Sequence, residues 1–288
     1  MTSPVLSMAA LTMIDAEPTE FVRACAAAGF DAVGLRLVAP PAAAVFHSIV
    51  DRPAVVREIE AVLDANGMRV NDIESMIIGP DTDLSSFEPA FALGQKWGVG
   101  LAITAIDDPD VSHAIDMFGR YCELAGSYGI QASLEFVPYW GLVTDLPKAL
   151  RLIRAVPEAV RPGLLVDALH LARSGGKPSD LDGLDPGLFN FVHLCDAPSV
   201  PPRPDDLREE SRYERLYPGD GELPLFDLLD RMAPHTVCSV EAPCARYQHL
   251  DFQARARLCA DKTRAVLAQH TARNPGTPVS ATSGKERS

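Results

Sequence analysis

Short apolar runs alternate along this 288-residue chain with longer stretches of helical period. Val5 to Leu11 reads as a first strand. Pro18 to Ala28 follows as a helix with Phe21, Cys25 and Ala28 on one face, stopped by Gly29. Ala32 to Leu37 is a second strand, ended by Pro40-Pro41. Asp51-Arg52-Pro53 opens a helix striped by Val55, Ile59, Val62 and Leu63 and closed by Asn66-Gly67. The rhythm continues with a strand at Val70 to Ile78, a helix near Phe87 to Trp97 and a strand at Leu101 to Ile106. Next come a helix at Asp110 to Tyr128, a strand at Gln131 to Val137, a helix at Thr144 to Val156 and a strand at Gly163 to Ala168. A short helix near Leu181 to Leu184 precedes a strand at Asn190 to Cys195, and a polar, proline-rich loop runs from Asp196 to Gly221. The last elements are a helix at Pro224 to Met232, a strand at Thr236 to Glu241 and a helix at Asp251 to Gln269, which places Phe252, Ala256, Cys259 and Val266 at helical spacing.

Strands alternating with helices of this length imply a parallel sheet. The expected class is α/β, a single (β/α)8 TIM barrel over residues 1–270 with its site at the C-terminal ends of the strands. An open doubly wound sheet is the alternative, but no G-x-G-x-x-G follows the first strand. The Pro-, Gly-, Ser-, Thr- and Lys-rich stretch 271–288 is expected to be a disordered tail outside the barrel.

Composition narrows the function. Hydrophobic residues are 47% of the chain, enough for a large core. Acidic residues outnumber basic ones 39 to 26, and the net charge of −13 repels phosphate backbones, which argues against nucleic-acid binding. No apolar run approaches the roughly 18 residues of a membrane span. Met1-Thr2-Ser3-Pro4 lacks the basic start of a secretory signal. The cysteines at 25, 122, 195, 238, 244 and 259 form no CxxC pair and read as reduced, buried thiols of a cytoplasmic protein.

Candidate chemistry sits at the predicted strand ends. The fifth strand offers Glu135, the sixth Asp167 and just beyond it His170, the seventh His193 and Asp196, and the eighth Glu241. A carboxylate inside an apolar strand is costly unless paired, hydrogen-bonded or bound to a cation. Consecutive strands ending in Glu, Asp, His and Glu would crowd three carboxylates at one barrel mouth, where they repel and raise one another's pKa. One divalent cation removes the conflict, and an oxygen-rich set with one imidazole suits Mn2+ first, with Mg2+, Co2+ or Zn2+ as alternatives. Asp196 is read as the acceptor that fixes the His193 ring. His170 is open between substrate contact, a role behind the ligands and a second-metal ligand. Arg36 and Glu74 end the second and third strands and either face a substrate or pair with each other. Trp140, beside Tyr139, floors a sugar pocket or anchors a loop. Arg212 and Arg215, in the long loop with Arg203 and Arg208, hold a substrate hydroxyl, carboxylate or phosphate, or else balance nearby acids.

Taken in order, Leu134-Glu135-Phe136, Val166-Asp167-Ala168-Leu169-His170, His193-Leu194-Cys195-Asp196, Pro218-Gly219-Asp220-Gly221-Glu222 and Val240-Glu241-Ala242-Pro243 resemble the xylose-isomerase-like TIM-barrel superfamily of sugar phosphate isomerases and epimerases, over roughly residues 4–270. The resemblance implies that Glu135, Asp167, His193 and Glu241 bind one divalent metal, that Glu135 and Glu241 are the catalytic pair that shuttles the proton, and that the chain forms a homo-oligomer. The superfamily's apurinic endonucleases carry extra histidines after strands two and three, where this chain reads Arg36-Leu37 and Glu74-Ser75-Met76; that departure argues against DNA repair.

The expected activity is a metal-dependent isomerase or epimerase of a small sugar or keto-polyol. A proton leaves next to a carbonyl, the metal stabilises the enediolate, and a glutamate returns the proton to the opposite face or the neighbouring carbon. Loss of a β-hydroxyl from the same enediolate would make the protein a lyase, a dehydratase acting on a keto-cyclitol or a dehydroshikimate-like ring. A noncatalytic sugar- or metal-binding barrel is the remaining alternative. The partner is a small carbohydrate-like molecule, with no nucleic acid and no membrane.

Overall fold

The computed structural model describes residues 4–39, 45–233 and 236–273. Their strands are β1 (Leu6–Met8), β2 (Ala32–Arg36), β3 (Arg69–Ile78), β4 (Leu101–Ile106), β5 (Gln131–Glu135), β6 (Gly163–Asp167), β7 (Phe189–Leu194) and β8 (Val237–Val240). They close into one parallel barrel in chain order, with β8 pairing back onto β1. Around the barrel run α1 (Pro18–Ala27), α2 (Pro53–Asn66), α3 (Glu88–Lys96), α4 (Val111–Ser127), α5 (Leu146–Ala155), α6 (Ala168–Arg173), α7 (Leu207–Tyr213), α8 (Leu225–Leu229) and α9 (Phe252–Arg273). This is the single (β/α)8 barrel the alternation predicts.

Strand parity sets which side chains reach the axis. On β6, Leu164 and Val166 join the core between barrel and helices, whereas Leu165 packs with Ile103 and Phe191 in a separate cluster inside the ring. The same parity turns Asp167 inward. On β7, Val192 and Leu194 join the outer core, so His193 between them points to the axis. Helix ends follow local chemistry: Asp110 and Asp145 cap α4 and α5 by accepting from backbone amides, and Gly67 ends α2 at φ 61°.

Several boundaries differ from the pattern. β1 ends at Met8, and Ala10–Met13 forms a 3-10 turn. There the backbone leaves the ladder toward the mouth: Ala10 N donates to Glu74 Oε1 at 2.8 Å, and Thr12 Oγ1 donates to the Val240 carbonyl at 2.8 Å. On α2 the buried residues are Val56, Ile59 and Leu63, so the stripe is rotated from Val55 toward Val56. The short helix expected at 181–184 is a 3-10 turn at Pro178–Leu181, and α6, not expected, starts directly from Asp167. The 196–221 segment is not wholly loop but contains α7. α9 continues through Arg273, past the expected start of the tail. Residues 274–288 of that tail, and Pro40-Pro41 after β2, lie outside the described residues. Every cysteine is buried and unbridged. Among the described residues, no helix is long and apolar enough to cross a membrane.

Candidate metal centre

The ends of β5, β6 and β7, with the residue just after β8, bring Glu135, Asp167, His193 and Glu241 together. Each offers one ligand atom, and these atoms all lie within 4.8 Å of one another. His193 Nδ1 faces the carboxylates, 3.7 Å from Glu135 Oε1, 3.9 Å from Asp167 Oδ2 and 3.5 Å from Glu241 Oε2. Glu135 Oε1 and both His193 ring nitrogens are buried without a hydrogen-bond partner. Glu135 Oε1 and His193 Nδ1, buried and unpartnered beside two further carboxylates, fit a cation.

Arg215 supplies the compensating charge that the protein itself carries. Its guanidinium is 1% exposed, with Nη1 2.6 Å from Asp167 Oδ2 and Nη2 2.9 Å from Glu241 Oε2. Nη1 also donates to the Glu241 carbonyl at 3.0 Å, and Nε donates to the Ser211 carbonyl at 2.9 Å. Arg215, read from sequence as a substrate arm or a balance for nearby acids, is thus committed to the Asp167 and Glu241 carboxylates. Burial raises the cost of ionising Asp167, but Arg215 together with His170 and His193 outweighs it and holds Asp167 below the usual carboxylate range. Glu241 is treated alike: burial opposes its charge, and His193 and Arg215 hold it well below the ordinary value. Glu135 lacks the arginine, and burial together with the Glu241 charge pushes it up to about 7. Burial opposes protonation of His193, but Glu241 and Glu135 raise it well above an ordinary imidazole.

The remaining candidates divide. Arg36, Glu74, Trp140, His170 and Arg212 line one pocket with Glu135, Arg215 and Glu241. Arg36 pairs with Glu74 at 3.0 Å, one of the two options its position left open. His170 donates its backbone N–H to Asp167 Oδ1 at 2.8 Å, its Nδ1 is unpartnered, and burial lowers its imidazole to about 4, so the ring is neutral. Trp140 packs edge-on to Tyr139, with Arg208 over both rings at 5.8 and 5.5 Å.

Asp196 does not do what its position suggested. Its Oδ1 accepts from Ala197 N and Leu223 N at 2.9 Å each, and its Oδ2 accepts from Gly219 N at 3.0 Å. It folds the Pro218-Gly219-Asp220-Gly221 turn and leaves the His193 ring alone. The turn passes so close that a Cβ on Gly221 would lie 2.5 Å from Asp196 Oδ1. Two neighbours of the site escaped the sequence reading. Ser211 joins Tyr139 to Arg215, at 2.9 and 3.1 Å. Asp72 is wholly buried on β3, two residues before Glu74, and its burial, reinforced by the Glu74 charge, pushes it up to about 7. The signal that exposed Glu135, a carboxylate inside an apolar strand, was present for Asp72 as well.

A closed barrel with such a cluster at its mouth defines a class of protein, and the sequence comparison agrees. The chain matches the xylose isomerase-like TIM barrel family over residues 22–264 and belongs to that family. No protein with a curated description matches it significantly in sequence. Among solved structures, a xylose isomerase-like TIM barrel/4-hydroxyphenylpyruvate dioxygenase fusion protein superposes with a TM-score of 0.76 at 21% identity, covering 94% of this chain but 44% of the fusion. The IolI protein, whose crystal structure carries a zinc atom, gives 0.75 at 16% identity, covering 92% of this chain and 98% of its own. The probable 3-DHS dehydratase AsbF from Bacillus anthracis gives 0.70 at 14%, covering 92% and 98%. At these identities the likeness is one of fold.

Proposed function

We propose that this protein is a divalent-metal-dependent isomerase or epimerase acting on a small sugar or keto-polyol, with manganese as the metal. The observation that carries the reading is the convergence of three carboxylates and one imidazole within 4.8 Å, with buried, unpartnered atoms turned inward. Glu135, Asp167, His193 and Glu241 would hold the ion, and the zinc atom in the IolI structure supports a metal on this fold. When bound, the ion supplies Lewis-acid polarisation of a carbonyl and compensates the negative charge developing beside it.

The two glutamates are electrostatically distinct. Glu241, kept low by His193 and Arg215 against burial, is ionised at neutral pH and suited to take the proton next to the carbonyl. Glu135, raised to about 7 in the metal-free protein, is the more basic of the two and is suited to return the proton. The pocket around them supports a small polar substrate. Tyr139 and Trp140 offer an apolar face for a carbon skeleton, and neutral His170 offers a hydrogen bond without a charge. Arg212 lines the pocket half-buried, with no ionic partner among the described residues, and is placed to meet substrate oxygens.

The likeness to AsbF supports a second reading, a lyase that expels water after the same proton abstraction. One experiment addresses both. A panel of ketoses and keto-polyols is incubated with Mn2+-loaded protein in D2O and followed by NMR and mass spectrometry. The reading expects metal-dependent deuterium incorporation next to the carbonyl, lowered about 10²–10⁴-fold in Glu135→Gln and Glu241→Gln. Product of unchanged skeleton mass marks an isomerase or epimerase, and loss of water marks the lyase. Exchange that persists unchanged in both variants, or after chelation, defeats the proposal.

A further inference from the structure

An imidazole that binds a cation through Nδ1 carries its hydrogen on Nε2, and a buried N–H needs an acceptor. Metal-bound histidines meet that need with a carboxylate, a carbonyl or water, which also holds the ring in place. His193 turns Nδ1 toward the three carboxylates, so Nε2 lies on the opposite edge of the ring, buried and without a hydrogen-bond partner. Asp196, three residues along the chain, is occupied with its own turn.

We propose that Asp72 is the positioning residue for His193: projecting into the barrel from β3, its carboxylate accepts the Nε2–H hydrogen bond through a bridging water, and thereby leaves Nδ1 free for the ion. This rests on the reading of His193 as a ligand and adds the group that orients it.

Several observations place Asp72 for the task. Ile73 packs outward against α3, where it would meet a Cβ on Gly94, so strand parity turns Asp72 inward. β3 and β7 stand four places apart in an eight-membered ring, so their inward side chains approach the axis from opposite sides. Asp72 Oδ1 accepts from Asn71 Nδ2 at 2.9 Å, while Oδ2 is buried with no partner. Space for that oxygen is made by a missing side chain. Gly34 is the register partner of Asp72 on β2, and a Cβ there would lie 2.5 Å from Oδ2. Ser7 and Ser239, paired across β1 and β8, add two more buried, unpartnered hydroxyls to the strands flanking this side of the ring. The apolar cluster of Ile103, Leu165 and Phe191 belongs to β4, β6 and β7. A wholly buried carboxylate is costly unless a donor meets it, and only one of the two Asp72 oxygens has a donor in Asn71.

The test uses the full chain, with zinc as a diamagnetic probe. Zinc affinity is measured by competition with a chromophoric chelator, the His193 Nε2–H resonance by 15N-edited NMR, and folding by thermal unfolding. Asp72→Leu should keep a cooperative transition, weaken zinc about 10–100-fold and displace the His193 resonance. Asp72→Asn, whose carbonyl still accepts, should fall between Asp72→Leu and the native protein. If Asp72→Leu does not fold, Asp72→Asn and Gly34→Ala, whose Cβ displaces the carboxylate, carry the same readouts. Folded variants that hold zinc within twofold of the native protein, with an unmoved His193 resonance, would show that Asp72 merely packs. Should the native protein take up no divalent ion, the proposed function fails instead. The metal-free His193 resonance then still decides this inference: a shift on Asp72→Asn supports it, and an unmoved signal overturns it.

Discussion

Arg215 and His193 show how one residue's environment sets the chemistry of its neighbours. Arg215 is buried against Asp167 and Glu241, and removing one partner of a buried ionic cluster strands the others. Arg215→Met is expected to cost about 3–5 kcal/mol in the metal-free protein. The loss should be smaller once an ion shares the carboxylates, so calorimetric melts with and without Mn2+ check it. An equal loss in both states would contradict a cation bound there. His193 makes a prediction about pH. Its folded pKa is raised, so the stability it contributes is present in full below its unfolded value and lost as pH rises through the folded one. At neutral pH the metal-free ring is protonated, and an ion must displace that proton. Calorimetry in buffers of different ionisation enthalpy should therefore show proton release on metal binding, with affinity rising with pH. Affinity independent of pH between about 6 and 8 would remove His193 from the ligand set.

At the scale of elements, α7 carries the clearest consequence. Its sequence, Leu207-Arg208-Glu209-Glu210-Ser211-Arg212-Tyr213, has no apolar stripe, so nothing in the periodicity marks a helix that docks. It docks through polar groups: Glu210 meets Arg173 on α6 at 2.7 Å and 2.8 Å, with side chains 7% and 3% exposed. Glu210→Ala leaves the Arg173 charge buried and is expected to cost about 3 kcal/mol or more. Because Ser211, Arg212 and Arg215 follow on α7 or just beyond it, substrate affinity should fall with stability. Proteolysis within 203–216, faster in the variant, checks that the segment has loosened. The other elements were legible because the strands, buried on both faces, read as short apolar runs, and most helices bury one face that repeats along the chain. Legibility failed where backbone groups leave the ladder for the site, as at Ala10–Met13, or where a helix starts from a residue of the cluster, as α6 does from Asp167.

On the proposed function the whole molecule would link folding to the ion, since a cluster assembled from four strand ends exists only in the closed barrel. A ligand that binds only the folded state at a hundred times its Kd adds about 2.7 kcal/mol. For a chain of this size that is roughly 5–10 °C in Tm. Mn2+ should raise the melting temperature by that order and EDTA should reverse it, whereas Asp167→Ala and His193→Ala should lose the response. The barrel and the Glu135, Asp167, His193, Glu241 set could be read from the chain because both depend on local order: short apolar runs, apolar residues at helical period, and charged residues at the ends of apolar runs. Which groups answer those four side chains could not be read, because a partner in a closed ring lies across the axis, at no fixed separation in sequence. Asp196 stood three residues from His193 and was drawn away by its own turn, while Arg215 came in from a loop and Asp72 from the far side of the barrel. The linear order of residues determined the frame and the four clustered side chains, and ring closure decided which charges they would face.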